Sequence, residues 1–192
     1  MQKREPEIFY PKNKNDWREW LEKNHESEES VWLVFYKKSS GKESLTWSES
    51  VDIALCFGWI DSKKIGIDDE KSHQFFSKRK AKSTWSKINK QKIEQLTELG
   101  EMREAGLKII EVAKENGSWT ILDEVEELII PEDLKSALQE NPDATDNFEK
   151  FSKSVKKMIL YWVISAKRPE TRQNRIKEIA ERAAENLKPK HM

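Results

Sequence analysis

The sequence predicts an α+β chain: a small antiparallel sheet with flanking helices, followed by helices alone. Three observations carry this expectation. Residues 31–36 are an unbroken run of β-branched, aliphatic and aromatic side chains, which reads as a buried strand. Residues 59–67 and 72–77 form two more strand-like runs around Asp68, Asp69 and Glu70, the pattern of a hairpin. Beyond residue 86 only the three-to-four-residue helical period remains.

Each element has a local reason. Asn15 or Asp16 can cap a first helix whose Trp17, Trp20 and Leu21 share one face. Residues 39–42, Ser-Ser-Gly-Lys, make a turn. Thr46 with Glu49 three residues on is a capping box, and Val51, Ala54 and Leu55 supply the apolar stripe of a second helix. Gly58 is placed to end that helix in the left-handed conformation. Later helices are expected at 86–99, 101–115, 131–140, 152–167 and 169–186. Gly100 and Gly117 serve as stops, and Pro131 and Pro169 fall at first-turn positions. In the fourth of these, Val155, Met158, Ile159, Trp162, Val163 and Ala166 fall on one face, so it should centre the C-terminal core. Residues 141–146 read as a short linker. The expected division is an α+β portion at 1–92 and a helical portion at 93–192.

Composition bounds the function. The 192 residues carry 35 basic and 35 acidic side chains, so no bulk electrostatic attraction to nucleic acid or membrane is expected. The neutrality is segregated, however. Residues 71–92 hold eight basic side chains and no acidic one, 111–149 hold twelve acidic and two basic, and 150–192 hold twelve basic and four acidic. Such blocks either form solvated faces of opposite sign or attract one another across the fold. A single cysteine excludes an internal disulfide. No apolar run has the length of a membrane span or of a secretory leader, so a cytoplasmic protein is expected, monomeric or homodimeric.

Three segments stand out together: SVWLVFYKK (30–38), LTWSESVDIALCFGWIDS (45–62) and QFFSKRKAKSTWSKIN (74–89). With IPEDLKSAL (130–138) and AKRPETRQNRI (166–176), the chain resembles the bacteriocin-protection, YdeI/OmpD-associated family from about Trp17 to Leu187. The resemblance implies a YjbR/CyaY-like N-terminal portion and a closing helical domain at about 130–187. One departure is visible: similar proteins read Phe-Thr-Pro-Arg where this chain has Phe76, Ser77, Lys78 and Arg79, so the bend loses a proline and keeps the arginine.

Cys56 sits among Ala54, Leu55 and Phe57, where apolar burial raises a thiol pKa and favours packing over nucleophilic use. His25, His73 and His191 lack metal-ligand spacing, and His73 reads as a surface residue. No cofactor and no metal is implied. The strongest candidate is a binding pocket built from Trp59, Asp61, Lys63, Arg79, Lys80, Trp85, Ser86 and Asn89. Arg79 can fork onto a carboxylate or phosphate, and Trp85 offers a stacking face. Ser86 or Ser83 can cap the next helix, and Asn89 follows one turn on. The bland alternative is that Trp85 packs inside, the serine only caps, the lysines face solvent, and Asp61 pairs with Arg79 to tie the sheet down.

Three functions compete. The resemblance implies a cytoplasmic factor in bacterial bacteriocin or antimicrobial-peptide resistance and stress tolerance, acting by binding an unknown protein or small-molecule ligand. The acidic segment 111–149 would suit a cationic partner. The second is nucleic-acid binding through 71–92, disfavoured by neutral net charge. The third is an enzyme with an unrecognised site near Asp61, Arg79 and Trp85.

Overall fold

A four-stranded mixed sheet organises the first of two units into which the chain divides, the first running through Trp119 and the second starting at Thr120. The computed structural model describes residues 5–190, so His191 lies outside the described residues. The strands are β1 (Glu7–Phe9), β2 (Ser30–Tyr36), β3 (Trp59–Gly66) and β4 (Lys71–Lys78), in the order β1-β2-β4-β3. β4 is antiparallel to both neighbours, as the hairpin reading requires. β1 is not: it lies parallel to β2, with Ile8 opposite Trp32. The expected antiparallel sheet is therefore mixed. The cause is helix α1 (Lys14–Asn24), which carries the chain back between β1 and β2, since a helical crossover returns the next strand in the same direction.

Helix α2 (Trp47–Cys56) makes a second crossover, from β2 to β3 around the interposed β4. Both crossovers step in the same direction across the sheet, so the right-handed rule sends both helices to one face. On that face Val31, Leu33, Trp59 and Phe76 join Trp17, Leu21, Val51 and Leu55 in one buried cluster. Trp17 and Trp59 are wholly buried.

The local signals explain most boundaries. Asn13, rather than Asn15 or Asp16, caps α1, accepting from the N–H groups of both. Thr46 and Glu49 close the capping box in both directions. Gly58 ends α2 at φ +73°. Helices α3 (Lys87–Glu98) and α4 (Glu104–Glu115) pack on α2, and Ile93, Ile110 and Ala113 enter its cluster. The sheet-bearing unit thus extends past residue 92 to Trp119, because these two apolar stripes bury against α2.

The second unit contains α5 (Asp123–Glu126), α6 (Glu132–Gln139), α7 (Pro142–Lys150), α8 (Lys153–Ile164) and α9 (Pro169–Ala184). Its core gathers Leu134, Phe148, Ile159, Leu160, Val163 and Ile179. Residues 141–146, expected as a linker, instead begin α7. Asn141 caps it by accepting from the Asp143 N–H, and Pro142 occupies its first turn. α8 contributes to that core, but α9, which packs on α6, α7 and α8, is the central helix instead; the buried face of α8 is also rotated, with Leu160 buried and Met158 46% exposed.

Candidate functional site

The structure brings some of the expected pocket together and disperses the rest. Arg79 sits just past β4, where its N–H donates to Gly58 O at 2.9 Å. Its guanidinium lies 3.6 Å from the Trp85 ring centroid and donates through Nη1 to Thr84 O at 3.1 Å. Both side chains are buried, and Trp85 packs against Trp119 at 5.1 Å. Arg79 Nε and the Trp59 indole N–H, also buried, have no hydrogen-bond partner among the described residues. Burial lowers the Arg79 pKa to about 10, with Asp61 pulling the other way. A buried cation held by a ring, one carbonyl and a distant carboxylate is poorly compensated. Four cavities formed by the described residues are lined by neither Arg79 nor Trp59 nor Trp85.

Asp61 does not pair with Arg79. Its register partner across the hairpin is Phe76, three residues before the arginine. The carboxylate instead accepts from Trp47 Nε1 at 2.8 Å and Gln74 Nε2 at 3.1 Å, both through Oδ2. Lys63 is exposed and lies over Trp32 and Phe75, 5.1 and 5.5 Å from their ring centres. Lys80 is exposed, and its backbone N–H donates to Ser83 Oγ. Ser86 caps α3 by accepting from the Asn89 N–H at 3.3 Å. That is a helix start, with Asn89 meeting Ser86 through its backbone.

The basic run 71–92 is substantially engaged as well. Lys71 pairs with Asp68, Lys78 with Glu29, and Lys92 with Asp52. Lys90 lies over the Trp119 ring at 5.2 Å, so with buried Arg79 at least five of the eight cations have protein partners or no access to a polyanion. This lowers the electrostatic return of a phosphate backbone.

In the second unit, the two C-terminal sequence blocks meet. Arg172 grips Asp133 through two bonds, Nε to Oδ2 at 2.6 Å and Nη2 to Oδ1 at 2.8 Å. The guanidinium holds the Asp133 carboxyl below its ordinary range. Asp133 belongs to 130–138 and Arg172 to 166–176, so one forked pair joins two of the five segments on which the resemblance rests.

Residues 127–186 match the family model described as Bacteriocin-protection, YdeI or OmpD-Associated, and residues 9–109 match a Domain of unknown function (DUF8412). The chain belongs to the DUF8412 family and carries a YdeI/OmpD-associated C-terminal domain. No curated protein and no solved structure matches it. The DUF8412 match runs from the last residue of β1 to the middle of α4, and the YdeI/OmpD-associated match spans α6 to α9.

Within the DUF8412 region, Cys56 is fully buried and its thiol donates to Asp52 O at 3.3 Å. Burial pushes its pKa up, which suits packing rather than attack. His73, expected at the surface, is buried. Its pKa is pulled down by burial and then by Lys71. Sequence reasoning missed a different grouping, at the far end of the helix-covered sheet face. Trp47, Gln74, Lys37, Lys38, Lys42 and Lys64 line one cavity of about 330 Å³. The strand alternation placed Gln74 on the same face as Phe76 and so was a usable signal. The loop residues carried none.

Proposed function

We propose that this protein protects a bacterial cell against bacteriocins or cationic antimicrobial peptides by binding, inside the cell, rather than by catalysis. The observation that carries the reading is the match of residues 127–186 to the bacteriocin-protection model. A charge pattern suited to a cationic partner starts just before this stretch and runs into it. Glu124, Glu127, Glu140 and Asp146 are exposed and make no ion pair among the described residues. Exposed charges of one sign chiefly speed encounter and discriminate between partners. Arg79 and Asp61, which an enzyme would need as a working pair, are engaged separately by Trp85 and by Trp47 with Gln74. No helix among the described residues is long and apolar enough to cross a membrane, and the proposed place of action is the cytoplasm.

The test is survival. A susceptible bacterium expressing the protein is challenged with a bacteriocin, beside one expressing the variant Glu124→Gln, Glu127→Gln, Glu140→Gln and Asp146→Asn. Protection by the first and its loss in the second is the expected result. Equal survival of the expressing strain and an empty-vector strain would remove the proposal.

A further inference from the structure

The cavity beside Trp47, formed by described residues, has a lining that carries charge of a single sign. The other three each mix lysine or arginine with glutamate or aspartate. This one is lined by Lys37, Lys38, Lys42 and Lys64 and by no carboxylate. In a chain with 35 charges of each sign, cations converging on a lining that holds no carboxylate mark a place that lowers the energy of an anion. Lys42 does have a carboxylate nearby, pairing with Glu70 at 3.0 Å. Lys37, Lys38 and Lys64 are exposed and make no ion pair among the described residues.

The walls are not those of a plain anion site. Phe35, Tyr36 and Trp47 line the same space. Trp47 is 53% exposed, yet its pyrrole edge is fixed by the 2.8 Å bond to Asp61. That bond holds a large ring at the cavity mouth, at the first turn of α2. Gln74 is only 4% exposed and lines the cavity from β4. Its amide nitrogen is committed to Asp61 and to Ser62 O, which fixes the amide orientation. Its carbonyl oxygen makes no hydrogen bond among the described residues. An oriented acceptor that opens onto a ligand-sized space is available to a donor. Hydroxyls of Ser44, Thr46 and Ser72 complete the lining.

From this combination we infer that the cavity binds a nucleoside phosphate. The phosphate meets Lys37, Lys38 and Lys64, the flat base lies between Trp47 and Phe35, and a ring N–H or amino group donates to Gln74 Oε1. Aromatic surface favours a π-system, lysine favours phosphate as a point charge, and the volume suits a mononucleotide. This site lies in the DUF8412 region and stands independently of the acidic surface invoked for protection.

The experiment titrates the intact protein with AMP and ADP, and separately with adenosine and with inorganic phosphate. Calorimetry and the indole N–H resonance of Trp47, assigned through Trp47→Phe, report binding. Saturable nucleotide binding at least tenfold tighter than either fragment, with a shifted Trp47 signal, is expected. Lys37→Glu combined with Lys64→Glu, both at exposed positions, should weaken it at least tenfold. Three outcomes would overturn the inference: no saturation by either nucleotide at millimolar concentration, phosphate alone binding as tightly, or binding indifferent to the charge reversal. The double variant is checked for a wild-type melting curve, so lost binding is not lost fold.

Discussion

Arg172 holds Asp133 in a two-pronged grip, with N···O separations of 2.6 and 2.8 Å, so that the start of α6 is tied to the first turns of α9. Both side chains remain about one-third exposed, and water screens the pair. Arg172→Lys keeps the charge and loses the fork. It should cost about 1 kcal/mol in urea unfolding of the intact protein, read on the transition that reports the C-terminal unit.

The same pair sets a pH dependence whose direction is fixed. The Asp133 pKa is lowered in the fold, by Arg172 first, so the unfolded chain takes up a proton before the folded one. The stabilisation is fully present above about pH 4 and fades as the pH falls through the lower, folded value. Wild type should therefore lose more stability between pH 5 and pH 3 than Arg172→Ala does. Equal losses measured by denaturant titration at the two pH values would refute the link.

Gly106 permits the closest approach in the N-terminal unit. A Cβ there would lie 2.3 Å from Cys56 O, a backbone atom with no room to yield. The neighbouring Arg103 N–H donates to that same oxygen at 3.0 Å, so the start of α4 is pinned to the end of α2. Gly106→Ala gains helix propensity but forces these backbones apart. The clash dominates, and the variant should lose about 1–3 kcal/mol. A melting temperature equal to or above wild type would show that α4 can shift freely.

These cases show what the sequence made legible. Thr46 with Glu49 and Gly58 announce their roles because capping and left-handed termination are decided within four residues. β1 went unseen because three residues, with Ile8 60% exposed, present no alternation to read. Asn141 and Pro142 suit a loop, yet the same two residue types start helices, and only the packing of Ala144 and Phe148 into the core decides between the two. The expected pocket was half legible. Arg79 and Trp85 are six residues apart and do meet, whereas Asp61 was drawn to Trp47 and Gln74 by strand register. The lysine-lined cavity draws on the end of β2, the following loop, the start of α2 and the hairpin. Convergence of that kind has no linear signature.

Cys56 should be chemically quiet in the native protein. Its side chain is fully buried and burial is the main cause of its raised pKa. Since the thiolate is the reactive form, a disulfide reagent should modify it at least about a hundredfold more slowly in buffer than in denaturant. Rapid stoichiometric labelling of the folded protein would reopen a nucleophilic role.

Arg79 supplies the sharpest separation of stability from function. Its guanidinium gains from the Trp85 ring at 3.6 Å and from Thr84 O, but Nε is buried without a partner and no carboxylate pairs with it among the described residues. Burying a charge so incompletely compensated is costly, and exchange for an apolar side chain of similar length is commonly neutral or favourable. Arg79→Met should therefore remain within about 1 kcal/mol of wild type, while Arg79→Ala, which also leaves a void over Trp85, should lose about 2–3 kcal/mol. If Arg79→Met instead costs as much as Arg79→Ala in chemical denaturation, the cation itself stabilises the fold and the argument from incomplete compensation fails. If it is tolerated, bacteriocin survival of cells carrying Arg79→Met shows directly whether the charge serves protection.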